Sequence, residues 1–259
     1  MDALKKLFGG NSRQFGMIFA LVALIILFQI LTGGLTLTPD NVINLFNGNS
    51  YILILAIGMV LVIIAGHIDL SVGPIAAAVG IIVAIAMRDW GLPSWVGIIL
   101  GLVIGAVIGA WQGFWVAYIG IPAFIVTLAG MLIFRGVNQW IGQSNTVPVP
   151  KDFQFIGAGY LPELGPDTGY NNLTLLIGII GVAAVVFFEL RSRREAKALG
   201  AEVPELWVTV TKLVLISAAI LYATYLFATG RPGTSFPVPG IILGVLVLIY
   251  GFISSKTVI

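Results

Sequence analysis

The sequence contains no cysteine, and only 9% of its 259 residues are charged. The absence of cysteine excludes disulfide bonds, thiolate metal sites and thiol catalysis. One histidine and no visible cluster of further ligands give no reason to expect a metal site. The net charge of +2 is too small to indicate a nucleic-acid partner. The remainder is 59% hydrophobic, and a mean hydropathy of +1.07 indicates a membrane protein.

The sequence also lacks the common motifs of catalysis. No G-x-x-x-x-G-K-[ST] loop occurs, so we expect no nucleotide or other cofactor to be bound through a P-loop. Neither a nucleophile with a base partner nor a pair of neighbouring carboxylates is visible within the apolar segments. These absences argue against an enzyme and favour the binding and passage of a neutral solute.

Eight apolar segments predict an all-α, polytopic transmembrane bundle. Helices are expected because a lipid-exposed strand would leave backbone groups unpaired, at a cost of several kcal/mol each. The segments are Phe15–Leu35, Tyr51–Gly66, Val72–Met87, Trp95–Ile119, Pro122–Gly142, Leu173–Leu190, Trp207–Thr229 and Val238–Ser254. We treat residues 1–259 as one transmembrane domain, with an irregular outer loop at 143–172 and a basic inner loop at 191–206.

The basic residues predict a cytoplasmic N-terminus. With eight crossings, this orientation places nine Lys and Arg residues on the inner side and four on the outer side. The four outer residues are Arg88, Lys151, Arg231 and Arg135. The first segment is expected to be an uncleaved anchor, because no small-residue cleavage site follows its apolar run.

The stretch AGHIDLSVGP, residues 65–74, places polar side chains between two apolar segments. Tyr51–Gly66 and Val72–Met87 would each be about 24 Å long as helices, which is shorter than the ~30 Å hydrocarbon core. The sequence therefore predicts a broken helix pair at residues 66–73, with two half-length spans that meet inside the membrane. Such breaks often frame a transport pathway.

Asp69 and Ser71 are the main candidates in this break. Either side chain can cap the helix that begins near Val72, and a carboxylate at membrane depth can also face a transported solute. The alternative is that Asp69 is only a structural cap. His67 is expected to be an ordinary hydrogen-bonded or interfacial histidine.

The fourth apolar segment carries a glycine at every fourth position, namely Gly97, Gly101, Gly105, Gly109 and Gly113. This spacing predicts a helix face without side chains, against which another helix can pack closely. We expect that helix to belong to the same chain and not to a second subunit. The segment ends in WQGFW, residues 111–115. Gln112 and Trp115 are candidates for the substrate pathway, since an aromatic face suits a sugar ring, but interfacial anchoring equally explains the tryptophans.

The fifth segment places Thr127 deep in the span and Arg135, Asn138 and Gln139 on one helical face farther along. The amide of Asn138 can form hydrogen bonds with solute hydroxyls or with a neighbouring helix. Arg135 can also direct its charge towards the membrane surface. We include Thr127 and Asn138 among the candidate pathway residues.

Three stretches resemble the permease subunits of ABC sugar importers of the ribose and xylose branch. Within this branch the resemblance is greatest to the xylose permeases. The three stretches are GMVLVIIAGHIDLSVGPIAA, GAWQGFWVAYIGIPAFIVTLAGMLIFRG and PVPGIILGVLVLIYGFISSKTVI. The family pattern I-D-L-S-V-G falls on residues 68–73, where the preceding position holds His67 instead of the usual glutamate or glycine. The pattern P-[AS]-F-I-V-T-L-[AG] falls on residues 122–129 and adds Phe124 to the candidate pathway residues.

The resemblance implies a dimeric membrane pore for a pentose-type sugar. Its implied partners are a soluble sugar-binding protein outside, an ATP-hydrolysing subunit inside, a second permease copy and membrane lipid. It also implies an ATPase-docking segment and more membrane helices beyond the position equivalent to Ile259. Because the printed sequence stops before that segment, two alternatives stay open. One is an ATP-independent sugar facilitator, and the other is a truncated, non-transporting membrane module.

Overall fold

The computed structural model describes residues 12–200 and 205–256, and these ranges contain nine helices and no strand. The helices are α1 Ser12–Leu31, α2 Pro39–Ile64, α3 Val72–Trp90, α4 Ser94–Ala117, α5 Ala123–Gly142, α6 Lys151–Ala158, α7 Asn172–Ala198, α8 Leu206–Ala228 and α9 Val238–Lys256. The prediction of an all-α chain is therefore confirmed.

The helix lengths agree with about eight membrane spans. Six helices, α2 to α5, α7 and α8, are long and apolar enough to cross a membrane. Shorter apolar stretches lie in α1 and α9, at Phe19–Leu31 and Val238–Ile253. The exposed side chains of these helices are largely apolar, for example Phe19 at 76% exposure, as expected for surfaces that face lipid or another subunit.

The second span is longer than the sequence predicted. Helix α2 begins at Pro39 instead of Tyr51, and its 26 residues extend about 39 Å. The carbonyl of Thr38 accepts a hydrogen bond from Val42 N at 3.0 Å, so Thr38 precedes the first turn, with Pro39 and Asp40 following. Proline and an acidic residue are favoured there. The expectation of two half-length spans is therefore wrong. The first turns of α2 are polar but helical, and the 19 residues of α3 extend about 28 Å, close to the ~30 Å hydrocarbon core.

The outer loop also contains more structure than expected. Residues 143–172 were predicted to be irregular, but Lys151–Ala158 form helix α6. Pro150 precedes its first residue, and Asp152 lies in its first turn. In the basic inner segment, α7 continues as a helix to Ala198.

The helices fall into two compact units, and the boundary lies within α2. The first unit contains the chain up to Asn47 and Tyr160–Pro237, and the second contains Gly48–Gly159 and the chain from Val238. In the second unit, α3 packs against both α4 and α5, α4 contacts α5, and α9 contacts α6. These contacts place the beginnings of α3 and α5 at the same end of the unit as the end of α4.

In the first unit, α7 packs against α8. Gly178 of α7 lies so close to Thr224 of α8 that a Cβ on the glycine would overlap the threonine side chain. At one end of the unit, Phe46, Phe227 and Phe236 pack together, with ring centroids 5.1–5.9 Å apart. This aromatic cluster and the α7–α8 contact form the core of the first unit.

The close approach of α7 and α8 gives a stability prediction. Replacing Gly178 with alanine should destabilise the protein by about 1–3 kcal/mol, because the new methyl group overpacks against Thr224. Gly181→Ala is the matched control, since a Cβ there would meet Ile220 Cγ2 at an ordinary 3.8 Å. Thermal unfolding in detergent compares the two variants. Equal midpoints would contradict the helix contact.

Candidate functional site

The break between α2 and α3, residues 65–71, begins with a tight helix end. Gly66 has a φ of 77°, and its amide donates to Ile63 O at 2.9 Å. The next amide, of His67, donates to Val62 O at 3.0 Å. This pair of bonds satisfies carbonyls that a helix end would otherwise leave free, and the left-handed conformation favours glycine. The chain therefore leaves α2 in a fixed direction.

Asp69 and Ser71 fix the other end of the break. Asp69 Oδ1 accepts the backbone amide of Ser71 at 2.7 Å and the Ser71 hydroxyl at 2.6 Å. Ser71 precedes the first residue of α3, but its side chain makes no capping bond to the helix. An aspartate that accepts the amide two residues ahead is a typical turn. The prediction that Asp69 or Ser71 caps α3 is therefore wrong, and the pair forms a turn before the helix instead.

Gln112 of α4 joins the same group. Both heavy atoms of its amide, Oε1 and Nε2, lie 3.1 Å from Ser71 Oγ. The single hydroxyl hydrogen of Ser71 is directed to Asp69 at the shorter distance, so we assign Gln112 Nε2 as the donor to Ser71 Oγ. Ser71 is fully buried and Gln112 is 6% exposed. Both side chains therefore obtain their hydrogen bonds within the protein.

Thr127 of α5 connects the break to a third helix. Its Oγ1 lies 2.8 Å from Ala123 O in its own helix and 3.2 Å from Ile68 O in the break. The one hydrogen of this hydroxyl is directed to Ala123 O at the shortest distance, and Ile68 O is the next nearest acceptor. Thr127 is 6% exposed. The backbone of the break is therefore held against α5 as well as against α4.

We call Asp69, Ser71, Gln112 and Thr127 the polar junction. It lies in the second unit, at the end where α3 and α5 begin and α4 ends. Gly130 completes it, because a Cβ at this position would overlap Gln112 Nε2 and lie 3.4 Å from Ser71 Cβ. The sequence analysis did not identify Gly130. Its position three residues after Thr127, on the same side of α5, is the signal that could have indicated it.

The other predicted pathway residues lie outside the junction's hydrogen bonds. Trp115 belongs to an aromatic group, with its ring 6.4 Å from Trp111 and 5.6 Å from Phe114 between centroids. Phe124 exposes 52% of its surface. Asn138 is half-buried and lies about 16 Å along α5 from Thr127. A pathway role for these residues stays a prediction.

The glycines of α4 have two different surroundings. A Cβ on Gly97 would lie 2.7 Å from Met87 Sδ, and one on Gly101 would lie 3.5 Å from Val83 Cγ2, so both face α3. A Cβ on any of the other three would meet no atom within 4 Å among the described residues; these are Gly105, Gly109 and Gly113. The predicted seam therefore packs within the described chain only at its first two glycines.

A second polar feature lies in the first unit, at the N-terminal end of α7. Asn171 Oδ1 accepts the amide and the hydroxyl of Thr174 at 2.9 and 2.8 Å, and Asn171 is 3% exposed. A neighbouring pocket of about 390 Å³ is lined by residues from 163–172 and 228–234, among them Glu163 and Asp167. An asparagine directly before an apolar helix is a typical N-cap residue, and this signal could have indicated Asn171.

Residues 41–195 match a family model described as branched-chain amino acid transport system, permease component. The chain belongs to this permease family. The similarity extends to individual relatives. The xylose transport system permease protein XylH of Haemophilus influenzae is 38% identical over 253 residues, which cover 97% of this chain and 64% of that protein. No solved structure matches the chain.

Two further relatives show the breadth of the family. The XylH protein of Escherichia coli K12 is 38% identical over 248 residues, which cover 95% of this permease and 60% of the relative. The ribose import permease protein RbsC of Bacillus subtilis is 38% identical over 156 residues, which cover 59% of this permease and 48% of RbsC. The permease therefore spans less than two thirds of the length of these relatives.

The chemistry of the junction is that of hydrogen bonding. Its side chains supply a carboxylate, a hydroxyl, an amide and a second hydroxyl, without a nucleophile–base pair. Within the described residues, no group of three or more acidic or histidine side chains could hold a metal ion. The junction can therefore hold three helices of the permease and the α2–α3 break together.

The contact between Gly130 and Gln112 predicts a coupled pair of substitutions. Gly130→Ala should destabilise the permease by about 1–3 kcal/mol, because the new Cβ collides with the Gln112 amide. The effect should be much smaller when Gln112 is already alanine, so the two changes are strongly non-additive. Unfolding midpoints of both single variants and the double variant measure this coupling. Additive losses would contradict the contact.

Asp69 gives a separate prediction. Asp69→Ala should lower the stability of the permease by about 0.5–2 kcal/mol, because the amide and hydroxyl of Ser71 lose their acceptor. Asp69→Asn keeps a carbonyl acceptor and should lose less. Thermal unfolding of both variants checks the order. An alanine variant as stable as the wild type would show that the turn does not depend on this side chain.

Proposed function

We propose that the chain is the membrane-spanning subunit of a binding-protein-dependent ABC importer for a pentose-type sugar such as xylose. In this proposal a separate ATPase subunit binds and hydrolyses ATP, a soluble binding protein delivers the sugar, and two permease copies form the pore. The observation that supports it best is the 38% identity to a xylose permease over 97% of the chain.

The polar groups of the junction favour a neutral solute over an amino acid. A zwitterionic amino acid needs a cationic and an anionic partner in the membrane, since unpaired charges are costly there. At the junction the one carboxylate, Asp69, is occupied by Ser71. A half-buried amide such as that of Asn138 can hydrogen-bond to the hydroxyls of a sugar. The names of the xylose and ribose relatives agree with a sugar.

The proposed orientation has the N-terminus in the cytoplasm. Basic residues then concentrate on the inner side, including Lys197 at the end of α7 and Lys212 near the start of α8. Lys212 Nζ lies 2.8 Å from Glu189 Oε2, and Arg193 Nη1 lies 2.5 Å from Thr209 Oγ1. In this orientation the polar junction lies near the cytoplasmic ends of α3, α4 and α5.

Transport in this proposal is alternating access between an outward-open and an inward-open pore. A partner can shift such an equilibrium only by binding one state better than the other, and ATP in the ATPase subunit supplies that difference. The junction ties the α2–α3 break to α4 and α5. These segments would therefore move together at the cytoplasmic end of the pore.

Reconstitution tests the proposed function. The permease is placed in liposomes with its ATPase subunit and binding protein, and uptake of labelled xylose is followed. We expect uptake only when ATP and both partners are present, and we expect Asp69→Ala to reduce it. Asp152→Ala is the matched control, since Asp152 is an exposed acid on α6, outside the junction.

The two alternatives give different results in the same experiment. Uptake by the permease alone, without nucleotide, would show an ATP-independent facilitator. Normal folding and partner binding without uptake in the complete system would show a non-transporting module. Either result would contradict the proposed importer.

A further inference from the structure

Helix α5 carries a polar face that the junction does not use. Arg135 and Gln139 are exposed, and Asn138 beside them is half-buried. Arg135 and Gln139 are four residues apart and therefore lie one above the other on the helix. Within residues 12–200 and 205–256, the structure shows no hydrogen bond or ion pair for the Arg135 or Gln139 side chain. The face is thus polar, accessible and unsatisfied within the described chain.

This face is distinct from the packed side of α5. Gly130, which contacts Gln112 at the junction, lies about 140° around the helix from Arg135. Trp140, which is 80% exposed, also lies about 140° from Arg135, in the other direction. Arg135 and Gln139 therefore lie on the side of α5 that faces away from the contact with α3 and α4.

The position of Arg135 in α5 makes it unfavourable for the guanidinium to extend to the membrane surface. Its Cα lies about 10 Å before the C-terminal end of α5. Side chains on a helix leave the backbone tilted towards the N-terminus, so the guanidinium starts in the direction of the membrane interior. An ionised side chain at that depth in a span usually faces a water-filled cavity and not lipid.

We propose that Arg135 and Gln139 line the water-filled pathway and bind the hydroxyl oxygens of a neutral, polyhydroxylated solute. The guanidinium has five N–H donors and no acceptor, and the amide of Gln139 adds donors and an acceptor. Together they match the lone pairs and O–H groups of a sugar and require no carboxylate on it. This inference rests on the proposed function, because it assigns a binding face to the solute that the importer would carry.

Cysteine labelling tests this inference cleanly, because the chain has no cysteine of its own. Arg135→Cys and Gln139→Cys are each placed in the permease, reconstituted with its partners in liposomes. Ile133→Cys is the control, since Ile133 is 48% exposed, lies about 3 Å from Arg135 along the axis and points about 160° away. The probe is a charged, membrane-impermeant methanethiosulfonate, with and without saturating xylose.

The two polar-face cysteines should react ~10-fold or more faster than Cys at 133, because thiols react as thiolates, which do not form in lipid. Xylose should slow the reaction at 135 and 139 and leave 133 unchanged. Gln139→Cys replaces a neutral side chain, so it carries the test if the arginine variant fails to fold.

Three results would overturn the inference or separate it from the proposed function. Reaction at 135 and 139 as slow as at 133 would place the face against lipid or protein. Fast reaction without protection, in vesicles that import xylose, would show a hydrated surface that does not bind the solute. If the wild-type permease imports no xylose in the same vesicles, the proposed function is contradicted. Fast reaction at 135 and 139 would then show a water-exposed face, and xylose would be excluded as its solute.

Discussion

The structure depends on one constraint, namely that a buried polar group in a membrane protein needs a hydrogen-bond partner inside the protein. Ser71 is fully buried at the start of α3, and its hydroxyl bonds to both Asp69 and Gln112. Thr127 Oγ1, which donates to Ala123 O, also lies 3.2 Å from the carbonyl of Ile68. Satisfying these few groups fixes where the α2–α3 break lies and how α4 and α5 approach it.

The same constraint separates two kinds of polar residue in the apolar helices. The side chains of the junction bond to one another, so they hold the helices and have little capacity left for a solute. Arg135 and Gln139 have no such partners among the described residues, so water or a solute has to supply them. In the proposed importer the first kind keeps the helices in register, and the second offers a surface to which a sugar can bind.

Composition and hydropathy were sufficient to predict the all-α fold and about eight spans, because apolar length determines what can cross a bilayer. The start of α2 was missed, since hydropathy gives no weight to a polar first turn such as the one after Thr38. Ser71 and Gln112 were each identified from the sequence, but their contact was not, because spacing along the chain does not show which helices are neighbours. Gly130 was missed for the same reason, since its small size matters only opposite Gln112.

The central claim is that the junction's hydrogen bonds hold the α2–α3 break in place. Hydrogen–deuterium exchange of the peptide covering residues 65–75, in lipid nanodiscs, tests it most directly. The account predicts slow exchange at the Ser71 amide in the wild type and clearly faster exchange in Asp69→Ala, which removes the acceptor of that amide. Fast exchange in the wild type, or equal exchange in both proteins, would contradict the claim.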